Sequence, residues 1–309
     1  MGIDRHDDAN VPSPEHPDRP PDHPRFEARS RLEYYADRRA TEPAAHSQSA
    51  NQTENPQPRT PWEDTAELSR WMWTEYKRRW PPEDRPPVDR STDPPGSWRS
   101  DSNSNRYLDS TANARIEVEY DRIVELEQKM ISPAMRDIES QDPDRHLAGF
   151  ENRLKGKDRM KEKACDNKNE YNLTLDEAVS FIPDAIRYTF QYDEARYTTG
   201  FHADIARLKG HGFILDKLKN FWSDEQYKGI NSQWIEDGTG RRFEVQFHTR
   251  ISLEAKQLTH DAYARVRTLQ TDKFEEMVLE AFQKKVSAEV PIPPGAAEIP
   301  DYKREPDAR

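Results

Sequence analysis

The stretch that decides the fold is Arg242-Phe243-Glu244-Val245-Gln246-Phe247-His248-Thr249. Phe243, Val245 and Phe247 alternate with Glu244, Gln246 and His248, the period-two signature of a strand with one apolar face. Its other face then carries a carboxylate, an amide and an imidazole in a row. A wholly solvated face would give the same alternation, so the neighbouring elements decide its meaning. Just upstream, Ser232–Ile235 is a second strand, joined to the first as a hairpin through the turn residues 236–240.

Outward from this hairpin the chain reads as alternating short strands and helices. Residues 185–190 form a strand, 193–209 a helix that stops near Gly210 and Gly212, and 213–215 a short strand. Residues 174–182 form a helix opened by Thr174, with Glu177 three positions on, a capping box. Residues 252–269 and 272–288 are two closing helices, the second expected to turn Phe274, Met277, Val278, Ala281 and Phe282 inward. Residues 107–140 read as a long helix, with Ile116, Tyr120, Ile123, Val124, Ile131 and Met135 at helical spacing and Pro133 as a break. The fold class is α+β, a mixed sheet flanked by helices.

Composition confines this domain to about residues 105–288. Of 309 residues 33% are apolar and 34% charged, too polar for a fully globular chain. Sixteen of the 24 prolines fall within residues 1–95. Residues 1–104 are therefore expected to be a largely disordered Pro-rich arm, suited to docking a partner protein, with a helix over 62–80. Its Trp71, Trp73 and Trp80 form a docking stripe. Residues 289–309 are expected to be a short disordered tail. The net charge of −11 argues against nucleic-acid binding through overall charge, leaving only a local basic patch. A single cysteine, Cys165, excludes an internal disulfide or cysteine-zinc site, though the lysines around it are expected to lower its pKa. No apolar leader or 18-residue apolar run occurs, so a cytoplasmic protein without membrane contact is expected.

Five groups of residues can carry chemistry. Arg153, Lys155, Lys157, Arg159, Lys161 and Lys163 form a basic cluster able to grip a polyphosphate, although Glu151, Asp158, Glu162 and Asp166 interleave as on a solvated face. Arg153 and Lys155 would share one face of a strand, Arg159 and Lys163 one face of a helix. Asp184 and Arg187 flank an apolar strand, as a site pair or as a structural ion pair. Tyr227-Lys228-Gly229-Ile230-Asn231-Ser232 is a glycine turn before the hairpin, where backbone can approach a ligand or simply turn. Glu244 stands beside Gln246 and His248, and with Asp184 could hold one Mg²⁺. Lys256, His260, Tyr263 and Arg267 share one face of the next helix, facing either substrate or solvent. No Walker-type loop exists, and His248 and His260 lack further ligands for zinc.

Taken in order, these motifs resemble the synthetase domain of the RelA/SpoT family of alarmone synthetases. The family's R-x-K-x-x-x-S-x-x-x-K appears as Arg153, Lys155, Arg159 (for serine) and Lys163. An acid before G-x-R appears as Asp184-Ala185-Ile186-Arg187, G-Y-x-S-x-H as residues 229–234, and E-I-Q-I-R-T as residues 244–249. The match spans about residues 150–268. Four departures stand out. The family's metal acid falls at Ile182, with Asp184 two residues later. Its guanine-stacking tyrosine is Ile230, its motif histidine is Trp234, and its arginine is His248. The wording is most similar to actinobacterial nucleotide 3′-pyrophosphokinases.

The resemblance implies a nucleotidyltransferase-like synthetase fold and Mg²⁺-dependent transfer of the β,γ-pyrophosphate of ATP to the 3′-hydroxyl of GDP/GTP or ADP/ATP. It implies Glu244 as base, Asp184 and Glu244 as metal ligands, and Arg153, Lys155, Arg159, Lys163 and Arg187 on the ATP phosphates. Tyr227, Lys228, Asn231, Gln246, His248, Lys256 and His260 would then surround the acceptor, with Tyr227 or Trp234 supplying the stacking surface. Alternatives are a toxic small synthetase that modifies tRNA 3′ ends or makes adenosine alarmones, and a non-catalytic nucleotide-binding module.

Overall fold

A computed structural model describes residues 60–81, 88–267 and 271–305. The expected arm over residues 1–59 lies outside them.

The decisive stretch is a strand, β7 (Arg242–Thr249), in a six-stranded sheet with β3 (Arg145–Leu147), β4 (Arg187–Tyr192), β5 (Phe213–Asn220), β6 (Ile230–Glu236) and β8 (Tyr302–Lys303). Their order is β3-β4-β7-β6-β5-β8. β4 and β7 run parallel and every other pair antiparallel, giving the expected mixed sheet. One face is apolar: Tyr188, Phe190 and Tyr192 of β4, Phe243, Val245 and Phe247 of β7, and Ile230 and Trp234 of β6 are all buried. The opposite face carries Arg187, Thr189, Glu244, Gln246, His248, Asn231 and Gln233, one from each alternate position. Asn231 opposes Gln246, and Gln233 opposes Glu244, which opposes Arg187.

The helices are α1 (Pro61–Arg79), α2 (Ser110–Leu126), α3 (Ser132–Ser140), α4 (Lys157–Tyr171), α5 (Leu175–Ser180), α6 (Tyr197–Gly210), α7 (Arg250–Arg267) and α8 (Lys273–Ala288). The capping box at Thr174 and Glu177 is present. The break expected at Pro133 takes the form of a π-helical turn, Glu127–Ile131, because proline offers no N–H to continue the ladder. The helix α1 forms where expected and lies against α7 and α8. Trp62 is its most buried aromatic residue and donates to Glu254, Tyr76 donates to Glu275, and Trp73 stacks between Tyr76 and Phe282.

Several expectations are corrected. The strand expected to start at Ala185 starts at Arg187, after a 3-10 turn Pro183–Ala185. The strand expected over 213–215 runs on to Asn220. A bulge between Leu215 and Lys217 brings Leu218 back to the face of Phe213 and Leu215, hiding the alternation in the sequence. In α8 the inward residues are Glu275, Leu279, Phe282, Gln283 and Val286, while Phe274 and Met277 are exposed.

Neither flank conforms to a disordered segment throughout. Before residue 105, β1 (Trp98–Arg99) pairs with β2 (Tyr107–Leu108), Trp98 donates to Asp158 (2.8 Å), and Ser100 donates to Glu162 (2.5 Å). After residue 289, Val290, Ala296 and Ile299 are buried. There the Asn220 amide donates to the carbonyls of Ala296 (2.8 Å) and Ile299 (2.7 Å), and β8 covers the β5 edge. Prolines are compatible with this turn-rich segment, in which Pro293 O accepts from Ala296 N–H (3.0 Å) and only Tyr302–Lys303 joins the sheet.

Candidate active site

The site begins with backbone. Leu154 forms a bridge to Ile186, flanked by the bonds Lys155 N–H to Ala185 O (2.9 Å) and Arg187 N–H to Arg153 O (2.7 Å). Residues 153–155, expected as a strand, thus make one bridge that brings Lys155 alongside the 3-10 turn. On the other side the Glu244 N–H donates to Ile186 O (2.9 Å), fixing β7 against the same turn.

Four charged side chains converge there. Lys155 Nζ lies 2.9 Å and Arg187 Nη2 3.0 Å from Asp184 Oδ2. Arg187 Nε lies 3.4 Å from Glu244 Oε1. Burial alone would raise the Asp184 carboxyl, but the charge and hydrogen bond of Lys155, with the charges of Arg187 and Lys163, hold it below the usual carboxylate value. The Gln246 amide donates to Glu244 Oε1 and accepts from Lys256 Nζ. Lys155, Asp184, Arg187, Glu244, Gln246 and Lys256 therefore form one connected cluster where β4 and β7 begin, with the Lys163 charge acting on Asp184 from α4.

Behind it lies a second, buried layer. His248 is fully buried, its Nε2 2.9 Å from the Tyr227 hydroxyl and its Nδ1 2.9 Å from Ser252 Oγ. Burial first, and the Lys256 charge second, push its pKa well down, so the ring is neutral. Gly229 closes over it: at φ +145°, an added Cβ would sit 2.7 Å from His248 Cε1. Only glycine fits there. His248, expected beside the acceptor, is thus walled off by Gly229 and orients Tyr227 instead. The half-buried Tyr227 also donates to Asn231 Oδ1 (2.8 Å), and burial and the Glu244 charge raise its hydroxyl pKa.

Other expected residues fall elsewhere. Arg153 donates through Nε to Glu127 Oε1 (2.7 Å), and its guanidinium lies over the Phe150 ring at 4.3 Å. Arg159 is exposed and pairs with Glu162 (3.0 Å), while Lys157 and Lys161 both pair with Glu117. The basic cluster is therefore divided, and Lys155 and Lys163 are its members that act on Asp184. Lys228 folds back to the carbonyls of Trp222 (3.0 Å) and Asp224 (2.5 Å), capping its own loop. His260 is exposed and pairs with Asp261 (3.4 Å). Trp234 cannot offer a stacking surface, being fully buried with its Nε1–H on Ser232 Oγ (2.7 Å). Ile182 is buried in the core. The Cys165 thiol is not activated: burial, then the Asp166 charge, pushes it up to about 11.

Glu127 escaped sequence reading. It is fully buried in the π turn and accepts from Arg153, Ser132 and Tyr188. Burial opposes its ionisation, but these three donors outweigh it and hold the carboxyl below its usual value. The available signal was its position on the apolar stripe between Ile123 and Ile131, where a carboxylate needs buried donors.

Among the described residues no group of three or more His, Cys, Asp or Glu side chains could hold a metal. Two carboxylates with one cation between them nevertheless suit a Mg²⁺ that arrives with a polyphosphate, since that ion uses one or two carboxylates and completes its shell with phosphate oxygens and water. No described helix is long and apolar enough to cross a membrane.

No family model matches the sequence, and no curated protein matches it. Similar solved structures include small alarmone synthetase 1 from Bacillus subtilis bound to its product pppGpp, with 15% identity over 57% of this chain and 92% of that one and a TM-score of 0.39. Another is a GTP pyrophosphokinase family protein from Streptococcus pneumoniae, with 12% identity over 55% of this chain and 84% of that one and a TM-score of 0.38.

Proposed function

We propose that this chain transfers the β,γ-pyrophosphate of ATP to the 3′-hydroxyl of an acceptor nucleotide. One observation carries the reading: Lys155, Asp184, Arg187 and Glu244 form a continuous charged chain where the parallel strands β4 and β7 begin. Such a cluster supplies what the chemistry demands, cations for a polyphosphate and a carboxylate for a hydroxyl proton. The motif resemblance of residues 153–163, 184–187, 229–234 and 244–249 adds support.

In this reading Lys155, Lys163 and Arg187 hold the ATP phosphates and Arg153 borders that side. Glu244 accepts the proton of the 3′-hydroxyl as its oxygen bonds to the β-phosphorus, and the bond from that phosphorus to the bridging oxygen breaks, releasing AMP. Both neighbours of Glu244 contact Oε1, which leaves Oε2 for the acceptor. Asp184 and Glu244 would hold Mg²⁺, which when bound neutralises charge on the phosphates. Tyr227, held by Asn231 and His248, is the ring available to stack on the acceptor base.

The test is incubation of the full chain with γ-labelled ATP, Mg²⁺ and GDP, GTP, ADP, ATP or deacylated tRNA, with product mapping. Label at a nucleotide 3′ position supports the reading. Label on tRNA alone selects the tRNA-modifying alternative, and nucleotide binding without turnover selects a non-catalytic module.

A further inference from the structure

Lys256 lies on α7, ten residues beyond the strand position of Gln246, yet its amine reaches the Gln246 side chain. Gln246 is buried, and its amide has two neighbours of opposite demand. The Lys256 ammonium has only donors and the Glu244 carboxylate only acceptor sites. Gln246 therefore turns its oxygen to Lys256 and its N–H to Glu244. An uncharged amine can accept as well as donate a hydrogen bond, so deprotonation of Lys256 would remove one of the two demands that fix that orientation and leave Glu244 to hold it alone. A flipped amide would set oxygen against oxygen at Glu244.

We propose that Lys256 is a positioning residue for Glu244, acting through Gln246: its ammonium form fixes the amide whose N–H orients the carboxylate. This rests on the reading of Glu244 as the base.

The surroundings make the ammonium form responsive to pH. From β4 the Arg187 charge faces Lys256, from β7 Glu244 and the neutral His248, and from the loop before β6 the Tyr227 hydroxyl joins His248. The side of α7 away from the sheet meets α1 and α8, where Glu254 takes Trp62 and Arg265 takes Glu275. Burial, then Arg187, lowers the Lys256 amine to about 8, with Glu244 opposing. The folded value is below the ordinary amine value, so the charged form prevails below about 8 and is lost as pH rises through it.

Three forms of the full chain test this: wild type, Lys256→Met and Lys256→Arg. In wild type, kcat should fall as pH rises past about 8. Lys256→Met should lower kcat at pH 7 about 10-fold, the scale of one charge-assisted hydrogen bond, with little change in KM and no alkaline fall. Lys256→Arg should keep activity and move the fall to higher pH, because its guanidinium stays charged. An alkaline fall unchanged in Lys256→Met overturns the proposal.

A second measurement needs no turnover: pH-dependent acetylation of lysines, read peptide by peptide by mass spectrometry. Lys256 should half-react near pH 8 in wild type and at lower pH in Glu244→Gln, which loses the opposing charge. Half-reaction at the ordinary lysine value, or no movement in Glu244→Gln, overturns the coupling. Should wild type transfer nothing to any acceptor while the labelling shift appears, the functional reading fails and the Lys256–Gln246–Glu244 coupling stands.

Discussion

Arg187 and Glu244 are register partners across the parallel pair β4–β7, with Arg187 Nε 3.4 Å from Glu244 Oε1. Arg187 also holds Asp184 at 3.0 Å, so one guanidinium spans both carboxylates of the cluster. The two acids share that partner but differ in proposed role, so removing each should have a different consequence.

Glu244→Gln keeps the shape and the contact with Gln246 but cannot take a proton. Transfer should fall by at least about 10²-fold, with nucleotide affinity retained. Steady-state kinetics alongside calorimetric ATP binding decide it, and near-wild-type turnover would remove Glu244 as the base.

Asp184→Asn should weaken the dependence of turnover on Mg²⁺ concentration. It should also change acid stability. The folded carboxyl lies below its ordinary value of 3.8, so its ion pairs contribute fully above that value and are lost as pH falls through the lower, folded one. The gap in melting temperature between wild type and Asp184→Asn should be constant near neutrality and close in strong acid. A gap that persists there would contradict the assignment.

Glu127→Ala would leave the Arg153 guanidinium and the Tyr188 hydroxyl without their buried acceptor. A loss of about 3 kcal/mol is expected from urea unfolding, as for other broken buried pairs. A loss below about 1 kcal/mol would mean that water replaces the carboxylate.

Gly229→Ala forces a side chain into a left-handed backbone position and onto the His248 ring. The cost should be about 2 kcal/mol. Because His248 holds Tyr227, KM for the acceptor should rise more than KM for ATP, as two-substrate kinetics would show.

The hairpin and its polar row were legible because period two survives in a plain sequence. Glu244 and Gln246 are found that way, and Asp184 and Arg187 as the acid and base that flank the apolar strand before them. The full length of β5 was concealed by a single bulge that broke the same period. Glu127 was missed because one acid on a helical stripe looks like noise until its donors, Arg153, Tyr188 and Ser132, arrive from elsewhere in the chain. His248 was misjudged for the converse reason: its strand position puts it on the polar face, and only Gly229 and Tyr227 folding over it make that position buried. The fate of residues 290–305 depended on an unpaired β5 edge, which composition does not reveal.

Phosphorus NMR of a reaction with ATP, Mg²⁺ and GDP or ADP tests pyrophosphate transfer most directly. The account predicts AMP and an acceptor with a new 3′-diphosphate in equal amounts, both absent with Glu244→Gln. Release of ADP with a singly phosphorylated acceptor, or AMP with free pyrophosphate and no acceptor product, would contradict it.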